Sequence, residues 1–505
     1  MPALDDLIAR EPEIAAARPW PRHLVSREVW SAAAASLADG EHQLVALWGE
    51  PGTAHMAVCR QETPAIKILS IDCTHGDYPS VAERFRPAVR LERAIRDLCG
   101  LEAFGATDRR PWFDHDQWGV KTPLGVPEPA PIGAASAYPF LSAEGEDLHQ
   151  IPVGPVHAGI IEPGHFRFTA NGETVVRLEE RLGYVHKGIE KLMVGADIDR
   201  GARIAGRMSG DSTLAYALAF ARAVEAALQV DVPLRAVWLR ALMAEIERIA
   251  NHLGDIGAIC NDAAFALMHA HFGVLREDVL RAVEACFGHR LMMDRIVTGG
   301  ITSDIDAAGA STLRELVRHI GQRLPELVEL YDNTVSLQDR TVGTGVLKPE
   351  LAERFGCGGF IGRASGRRFD ARKQPGYPPY DALSFEIPVL NEGDVDARVW
   401  VRIREIEQGL SIIDQVLDHL PQGRVRIEPI ALSGPAEGAA LIEGFRGDIF
   451  VWIRLTADGK IDRCHLRDPS WFQWPLLEAV IEGNIVADFP LCNKSFNCSY
   501  SGHDG

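Results

Sequence analysis

Three side chains near the end of the chain are of types that bind metals. The segment NKSFNCSYSGHDG, residues 493–505, places Cys498, His503 and Asp504 within seven positions. Cysteine and histidine are the usual protein ligands of zinc and of softer transition metals. A single segment rarely supplies a complete site, so a metal centre here requires further donors elsewhere in the chain.

The remaining cysteines do not supply an obvious second half. The chain has nine cysteines, widely scattered, and no two of them stand at C-x-x-C spacing. Their odd number and scatter favour a reducing compartment over a disulfide framework. The sequence also lacks a G-x-S-x-G nucleophile elbow and a G-x-x-x-x-G-K-[ST] phosphate loop, so it gives no support for a serine hydrolase or a directly bound nucleotide.

Several polar segments could line a site. His157 and His165 flank the loop GPVHAGIIEPGHFRF, where each is either a hydrogen-bonded loop histidine or a proton-handling group facing a pocket. The segment YVHKGIEKL begins a helix whose charges are typical of a solvated face. The loop GRASGRRFDARKQPGYPPYD contains Arg363 and Asp370 among many charges. It is either a surface cluster of salt bridges or the lining of a pocket.

The elements that position these residues fall into two parts. The strand-like runs HQLVALWGE and AIKILSIDC, with a helical stretch after them, predict a small α/β domain over residues 1–120. Seven prolines lie between Lys121 and Pro155, and they indicate an extended linker, placed at 121–150. The second domain is then 151–505.

The second domain shows strong helical periodicity. Apolar residues recur at i, i+3, i+4 and i+7 in STLAYALAFARAVEAALQ, PLRAVWLRALMAEIERIANHLGDIGAI and STLRELVRHIGQRLPELVELYDN. DARVWVRIREIEQGLSIIDQVLDHL adds another long helix. HFRFTANGETVVRL and DIFVWIRLTADGKIDRCHLR predict hairpins that turn at Asn171-Gly172 and Asp458-Gly459. The predicted fold class is therefore α+β, with a mostly helical core and peripheral hairpins.

Composition excludes some partners. The formal net charge of −18 leaves no basic surplus for nucleic acid. No run of 18 apolar residues is present, and the acidic N-terminal segment has no signal-peptide core. We therefore expect a cytoplasmic protein.

Six ordered blocks resemble a known family. The blocks are GPVHAGIIEPGHFRF, YVHKGIEKL, RIAGRMSGDSTLAYALA, DRTVGTG, GRASGRRFDARKQPGY and DRCHLRDPSWFQWP. Together they are similar to the large subunit of formate hydrogenlyase and hydrogenase-4, the [NiFe] hydrogenases related to respiratory complex I, and to the quinone-pocket subunit of NADH–quinone oxidoreductase. LERAIRDLCGLEAFGATDRRPWF resembles the short complex I subunit that is often fused to this one. The resemblance implies a hydrogenase large-subunit-like domain over 151–505.

The metal ligands of that family are replaced in this sequence. The family holds nickel and iron with four thiolates from two C-x-x-C pairs. The first pair falls on Ala205 and Met208, and the second falls on Ser499 and Gly502, with Cys498 one residue out of step. The resemblance therefore implies a chain that binds no metal of its own and is not itself an active [NiFe] hydrogenase.

The resemblance also implies a setting. The chain is expected to lie on the inner face of the cell membrane, held there by its partners: an iron–sulfur small subunit, a ferredoxin-like subunit and antiporter-like membrane subunits. The vacated pocket would accept electrons onto a quinone or another small acceptor. Its expected lining residues are His157, His165, Arg203, Ala205, Met208, Arg363, Asp370, Ser499 and Gly502.

Two alternatives remain open at this point. The pocket could be collapsed, leaving a non-catalytic scaffold of an antiporter-like membrane complex. Cys498, His503 and Asp504 could instead join a distant donor in a different metal site.

Overall fold

The computed structural model describes residues 3–60, 65–133, 138–158, 161–428 and 434–505. Its helices are α1 Leu4–Ile8, α2 Arg27–Ala38, α3 Val89–Cys99, α4 Ile189–Met193, α5 Ile198–Ala205, α6 Thr213–Leu228, α7 Leu234–Asp262, α8 Ala266–Phe287, α9 Ala307–Asp332, α10 Val335–Thr341, α11 Pro349–Arg354, α12 Gly359–Ala364, α13 Val395–His419, α14 Ser470–Val480, α15 Phe489–Phe496 and α16 Tyr500–Asp504. Its strands are β1 Ala17–Arg18, β2 Arg22–Leu24, β3 Gln43–Glu50, β4 Thr53–Cys59, β5 Ile66–Asp72, β6 Asp77–Pro79, β7 Glu102–Phe104, β8 Val120–Lys121, β9 Glu128–Pro129, β10 Leu148–Val153, β11 His165–Asn171, β12 Thr174–Arg181, β13 Ile296–Val297, β14 Gly300–Ile301, β15 Ala436–Gly444, β16 Gly447–Leu455 and β17 Ile461–Arg467.

The N-terminal part is built on a four-stranded sheet in the order β2-β5-β4-β3. The three longer strands are antiparallel, and β2 pairs in parallel with β5. The predicted helix begins after a 3₁₀ turn that contains Pro87 and then runs as α3 to the left-handed Gly100. Proline at the start and glycine just past the end are the usual boundaries of a helix. The predicted α/β character of this part is confirmed.

Two antiparallel sheets flank the helices. The predicted first hairpin is β11–β12, and β10 adds an edge strand to it. The predicted second hairpin is β16–β17, extended by β15 and then by β1. Because β1 pairs in parallel with β15, Ala17 and Arg18 tie the N-terminal segment to the C-terminal sheet.

Long helices form the centre of the molecule, as the periodicity predicts. Helices α6, α7, α9 and α13 correspond to the four predicted segments, and α7 alone has 29 residues. The sequence interpretation missed α8, which packs along α7. Its buried positions Met268, Phe272, Leu275 and Val279 do carry the helical spacing. The α+β fold class is confirmed.

One hydrophobic core contains residues from both sides of the predicted linker. Trp30 and Met56 from the N-terminal part belong to the same buried cluster as Phe168, Trp474 and Cys498. The first 120 residues therefore pack directly on the elements that end the chain. This shared core positions the candidate site described next.

No helix in the described ranges is both long enough and apolar enough to cross a membrane.

Candidate functional site

Two distant segments meet where the sequence analysis places the lost thiolates. Ala205 ends α5 and Met208 lies in the turn after it, while Ser499 caps α16 and Gly502 lies within that helix. All four residues are buried. The hydroxyl oxygens of Ser209 and Ser499 are 2.8 Å apart and link the two segments. The Ser499 hydroxyl also accepts the backbone N–H of Gly502 at 2.8 Å.

A carboxylate fills the space in front of Gly502. A Cβ at this position would stand closer than 3.0 Å to the Asp468 carboxylate and to the Ser499 hydroxyl oxygen. The carboxylate is held in place because the Tyr216 hydroxyl donates to its Oδ2 and the Ser470 N–H donates to its Oδ1 at 2.8 Å. Gly502 therefore has no room for a side chain.

These residues do not fit a nickel–iron centre. Alanine and glycine offer no side-chain donor, methionine offers a weak thioether donor, and the serine hydroxyl is engaged in the hydrogen bonds above. In the part of the chain that the structure describes, no group of three or more His, Cys, Asp or Glu side chains could hold a metal ion.

The tail residues whose types could bind a metal instead make hydrogen bonds and packing contacts within the fold. The Asp504 carboxylate accepts the backbone N–H groups of Gly183 at 2.9 Å and Val185 at 3.0 Å. The Nδ1 of His503 lies 2.9 Å from the same carboxylate. Burial raises the pKa of the Cys498 thiol well above its usual value, so this cysteine is not poised as a thiolate ligand. The arrangement does not support a separate metal site built from these three residues.

An open cavity of about 370 Å³ lies directly beside Met208. Its walls come from both parts of the chain, with Trp48, Ile95 and Cys99 on one side and Trp471 on the other. Most of the lining is aliphatic or aromatic. A volume of this size with a few polar groups is typical of small-molecule sites.

One flank of the cavity is polar and belongs to the segment YVHKGIEKL. His186 lies against Trp118 at 4.6 Å and against Phe113 at 5.2 Å, measured between ring centroids. Glu190 is paired with Arg463 and His465, each at 2.7 Å. Although burial opposes ionisation, these two partners lower the pKa of Glu190 to about 2. A fixed carboxylate thus belongs to the polar flank of a mostly apolar cavity.

Other predicted lining residues lie elsewhere. The His157 Nε2 lies 2.8 Å from the Gly164 carbonyl oxygen, and His165 is buried on β11 with its Nδ1 3.2 Å from the Gly154 carbonyl. Arg203 is exposed on α5. None of the three lines the cavity beside Met208.

Arg363 and Asp370 belong to a buried ionic network. The guanidinium of Arg363 pairs with Glu405 at 2.7 Å, with Glu443 at 2.9 Å and with Asp370 at 3.5 Å. Arg363 is 0% exposed and Asp370 is 1% exposed. Arg363 and Asp370 therefore form neither a surface cluster nor a pocket lining, whereas Arg367, Arg368 and Pro378 of the same loop do line cavities. The Arg363 guanidinium faces acidic partners from α13 and β15, which sequence proximity cannot show.

Comparison with known proteins places the chain in a family. Over 448 residues it is 32% identical to formate hydrogenlyase subunit 5 of Escherichia coli (strain K12), which covers 86% of this chain and 78% of the relative. It is 31% identical over 450 residues to hydrogenase-4 component G of the same organism, with coverages of 87% and 78%. Residues 262–438 match the family described as the respiratory-chain NADH dehydrogenase 49 kDa subunit.

The chain belongs to this family of hydrogenase and complex I subunits. It is also 29% identical over 439 residues to the C/D subunit of NADH-quinone oxidoreductase from Phocaeicola vulgatus, which covers 81% of this chain and 84% of the relative. Each of these relatives is named as a part of a larger enzyme. The match confirms the resemblance drawn from the six blocks.

The lining of the cavity includes residues that the sequence interpretation missed. His186, Lys187 and Glu190 were interpreted as a solvated face, yet they line the cavity. They stand in one of the six blocks that carry the resemblance. The signal was therefore present in the order of the blocks, whereas charge spacing alone pointed to solvent.

Proposed function

We propose that this chain is a subunit of a membrane-associated oxidoreductase of the complex I or hydrogenase-4 type, and that it binds no metal of its own. In this assembly it contributes a pocket for a quinone or another small electron acceptor. The pocket lies next to an iron–sulfur small subunit, which delivers the electrons. A ferredoxin-like subunit and antiporter-like membrane subunits complete the assembly, and the chain helps to couple electron transfer to ion movement.

The observation that carries the proposal is the cavity beside Met208. It is open and mostly apolar, and its lining includes Met208, to which the resemblance assigns one of the lost thiolates. A quinone headgroup is flat and apolar with two carbonyl oxygens, so it suits an aromatic chamber with a polar flank. The side chain of Lys187 strengthens that flank, because its Nζ donates to the carbonyl oxygens of Met208 at 3.1 Å and Ser501 at 3.0 Å.

The test uses the native complex, purified through a tag on this chain. Electron flow from the reduced iron–sulfur partner to an added short-chain benzoquinone is followed by the loss of the reduced-cluster EPR signal. Met208→Trp fills the floor of the cavity and should slow this transfer by at least about tenfold while the assembly remains intact on purification. Leu267→Trp is the control, because Leu267 is 53% exposed on α8 and should leave the rate unchanged.

A structural scaffold is the second candidate. It is favoured by the packing at the other three positions, where Ala205, Ser499 and Gly502 leave no space. If no cluster-bearing partner is recovered with this chain, or if Met208→Trp transfers electrons at the wild-type rate, the pocket proposal fails and the scaffold is retained.

A further inference from the structure

A second cavity lies against the outer face of α6. It has a volume of about 660 Å³ and is lined by Pro19, Trp20, Val232, Pro378 and Leu441, among others. Its walls therefore come from the N-terminal segment, the end of α6, the loop after Gly376 and strand β15. This volume lies within the range of small-molecule sites.

Arg222, on α6, projects into this cavity without a counter-ion. Its guanidinium makes no hydrogen bond and no ion pair within the described residues, and its Nε is buried without an acceptor. Its polar head rests against the Tyr377 ring, with the guanidinium carbon 4.9 Å from the ring centroid. Arg222 as a whole is half-buried, and a guanidinium with a buried nitrogen is normally paired with a carboxylate or with carbonyl oxygens. Arg222 is thus an exception that requires an explanation.

The neighbouring arginine shows why Arg222 is left without a partner. Glu225 stands one turn further along α6, but its carboxylate pairs with Arg240 at 2.6 and 2.9 Å. The same carboxylate also accepts the backbone N–H of Gly299 at 2.8 Å. The remaining donors of Arg240 include those that bind the carbonyl oxygens of Val297 and Gly300. The Arg240–Glu225 pair is therefore closed, and the donors of Arg222 remain available to a ligand.

The charges around the cavity restrict the ligand further. Besides Arg222, the lining carries Glu225 and Asp231. Because Arg240 already neutralises Glu225, Asp231 is the carboxylate whose charge opposes an anion here, and one guanidinium facing it favours a ligand with a single negative charge over a multiply charged anion. The apolar walls at Trp20, Val232 and Leu441 suit a hydrocarbon body. The carboxylate of such a molecule would meet the guanidinium in a forked geometry.

We propose that the cavity beside Arg222 binds a small amphipathic monocarboxylate, with its carboxylate on the Arg222 guanidinium and its apolar body against Trp20 and Leu441. This site is separate from the cavity beside Met208, since the two share no lining residue. The proposal does not depend on the proposed function.

Isothermal titration calorimetry of the full chain tests the site, with octanoate as the probe. Octanoate should bind the wild type, and Arg222→Gln should weaken binding by about tenfold or more, because a charge-assisted hydrogen bond is lost. Arg222→Lys keeps the charge without the fork and should fall between the two. Arg318→Gln makes the same charge change at an exposed position on α9 and should bind as the wild type does.

Two further measurements separate ligand binding from a structural role. Without ligand, Arg222→Gln should melt at or above the wild-type temperature, since it removes an uncompensated cation. Inorganic phosphate should bind more weakly than octanoate. The proposal is overturned if octanoate does not bind the wild type, if it binds Arg222→Gln equally well, if phosphate binds as tightly, or if Arg222→Gln melts well below the wild type without ligand.

Discussion

Gly502, which the sequence analysis matched to a metal-binding cysteine of the family, faces a carboxylate. Asp468 is fixed there by Tyr216 and by the backbone of Ser470, so the neighbour cannot move aside. The space in front of Gly502 is therefore filled by a hydrogen-bonded acid. Restoring one cysteine at this position would create a clash before it could create a ligand.

Gly502→Ala should lower the free energy of unfolding by about 1–3 kcal/mol, the usual cost of overpacking a buried site. Gly273→Ala is the matched control, because Gly273 lies in α8 and a Cβ there meets nothing within 4 Å. That control should gain about 0.5–1 kcal/mol from helix propensity. Urea unfolding of both variants measures the difference, and equal midpoints would contradict the packing of Asp468 against Gly502.

For this part of the molecule, the sequence indicated which residues to compare with the family's metal ligands, but it did not indicate which side chains contact them. The resemblance pointed to Ala205 and Met208 in one of the six blocks and to Ser499 and Gly502 in the tail, and the structure brings these two segments together. It could not reveal Asp468, because that carboxylate belongs to a separate segment and reaches Gly502 only through the fold. The same reason explains why Arg363 was expected at a surface or a pocket.

The first turn of helix α6 is capped by the side-chain carboxyl group of a glutamate on another helix. Glu247, on α7, accepts the backbone N–H groups of Leu214 at 2.9 Å and Ala215 at 3.1 Å. These are donors that the first turn of a helix leaves without an internal partner. Burial raises the pKa of Glu247 from 4.5 to about 8. The long helices could be predicted from the helical spacing of their apolar residues. The cap by Glu247 could not, because its two partners lie on a different helix and no local sequence motif encodes the contact.

The Glu247 cap should make stability depend on pH. The folded chain keeps the Glu247 proton up to about pH 8, while the unfolded chain loses it near pH 4.5. Its contribution to the free energy of unfolding is therefore fully present below pH 4.5 and is lost as the pH rises to 8. Glu247→Gln cannot titrate, so it should remove a slope of up to about 1.4 kcal/mol per pH unit in this window.

Urea unfolding at several pH values between about 5 and 8 measures this slope. Glu315→Gln, at an exposed position on α9, should keep the wild-type slope. A Glu247→Gln protein whose stability falls with pH as steeply as the wild type would show that Glu247 is ionised throughout this window.

The whole molecule is held together by charges as well as by its cores. The network around Arg363 joins α7, α12, α13 and β15 and the loop that contains Asp370. Glu405 pairs with Arg363, with Arg248 at 3.5 Å and with His252 at 2.8 Å. The remaining members are Glu245, Arg372 and Glu443. Since each arginine has at least one acidic partner, the network sets the relative positions of these elements.

Arg363→Met should unbalance this network and cost about 3–5 kcal/mol of unfolding free energy at neutral pH, because several acids lose their shared cation. Burial, with Asp370 adding to it, already raises the pKa of Glu443 to about 7. Without Arg363 this pKa rises further, so the acid is neutral at about pH 5 and charged only at higher pH. The cost of the substitution should therefore be smaller at about pH 5 than at about pH 8.

Arg404→Met is the matched control on α13. Arg404 is exposed, and its ion pair among the described residues is with Glu407, at 3.0 Å. An exposed pair of this kind contributes less than about 1 kcal/mol. Its unfolding free energy should change little, and equally at both pH values. If Arg363→Met behaved in the same way, the acids around Arg363 would have to be protonated already in the wild type, and the network would be held by hydrogen bonds from charged guanidinium groups to neutral acids instead of by ion pairs.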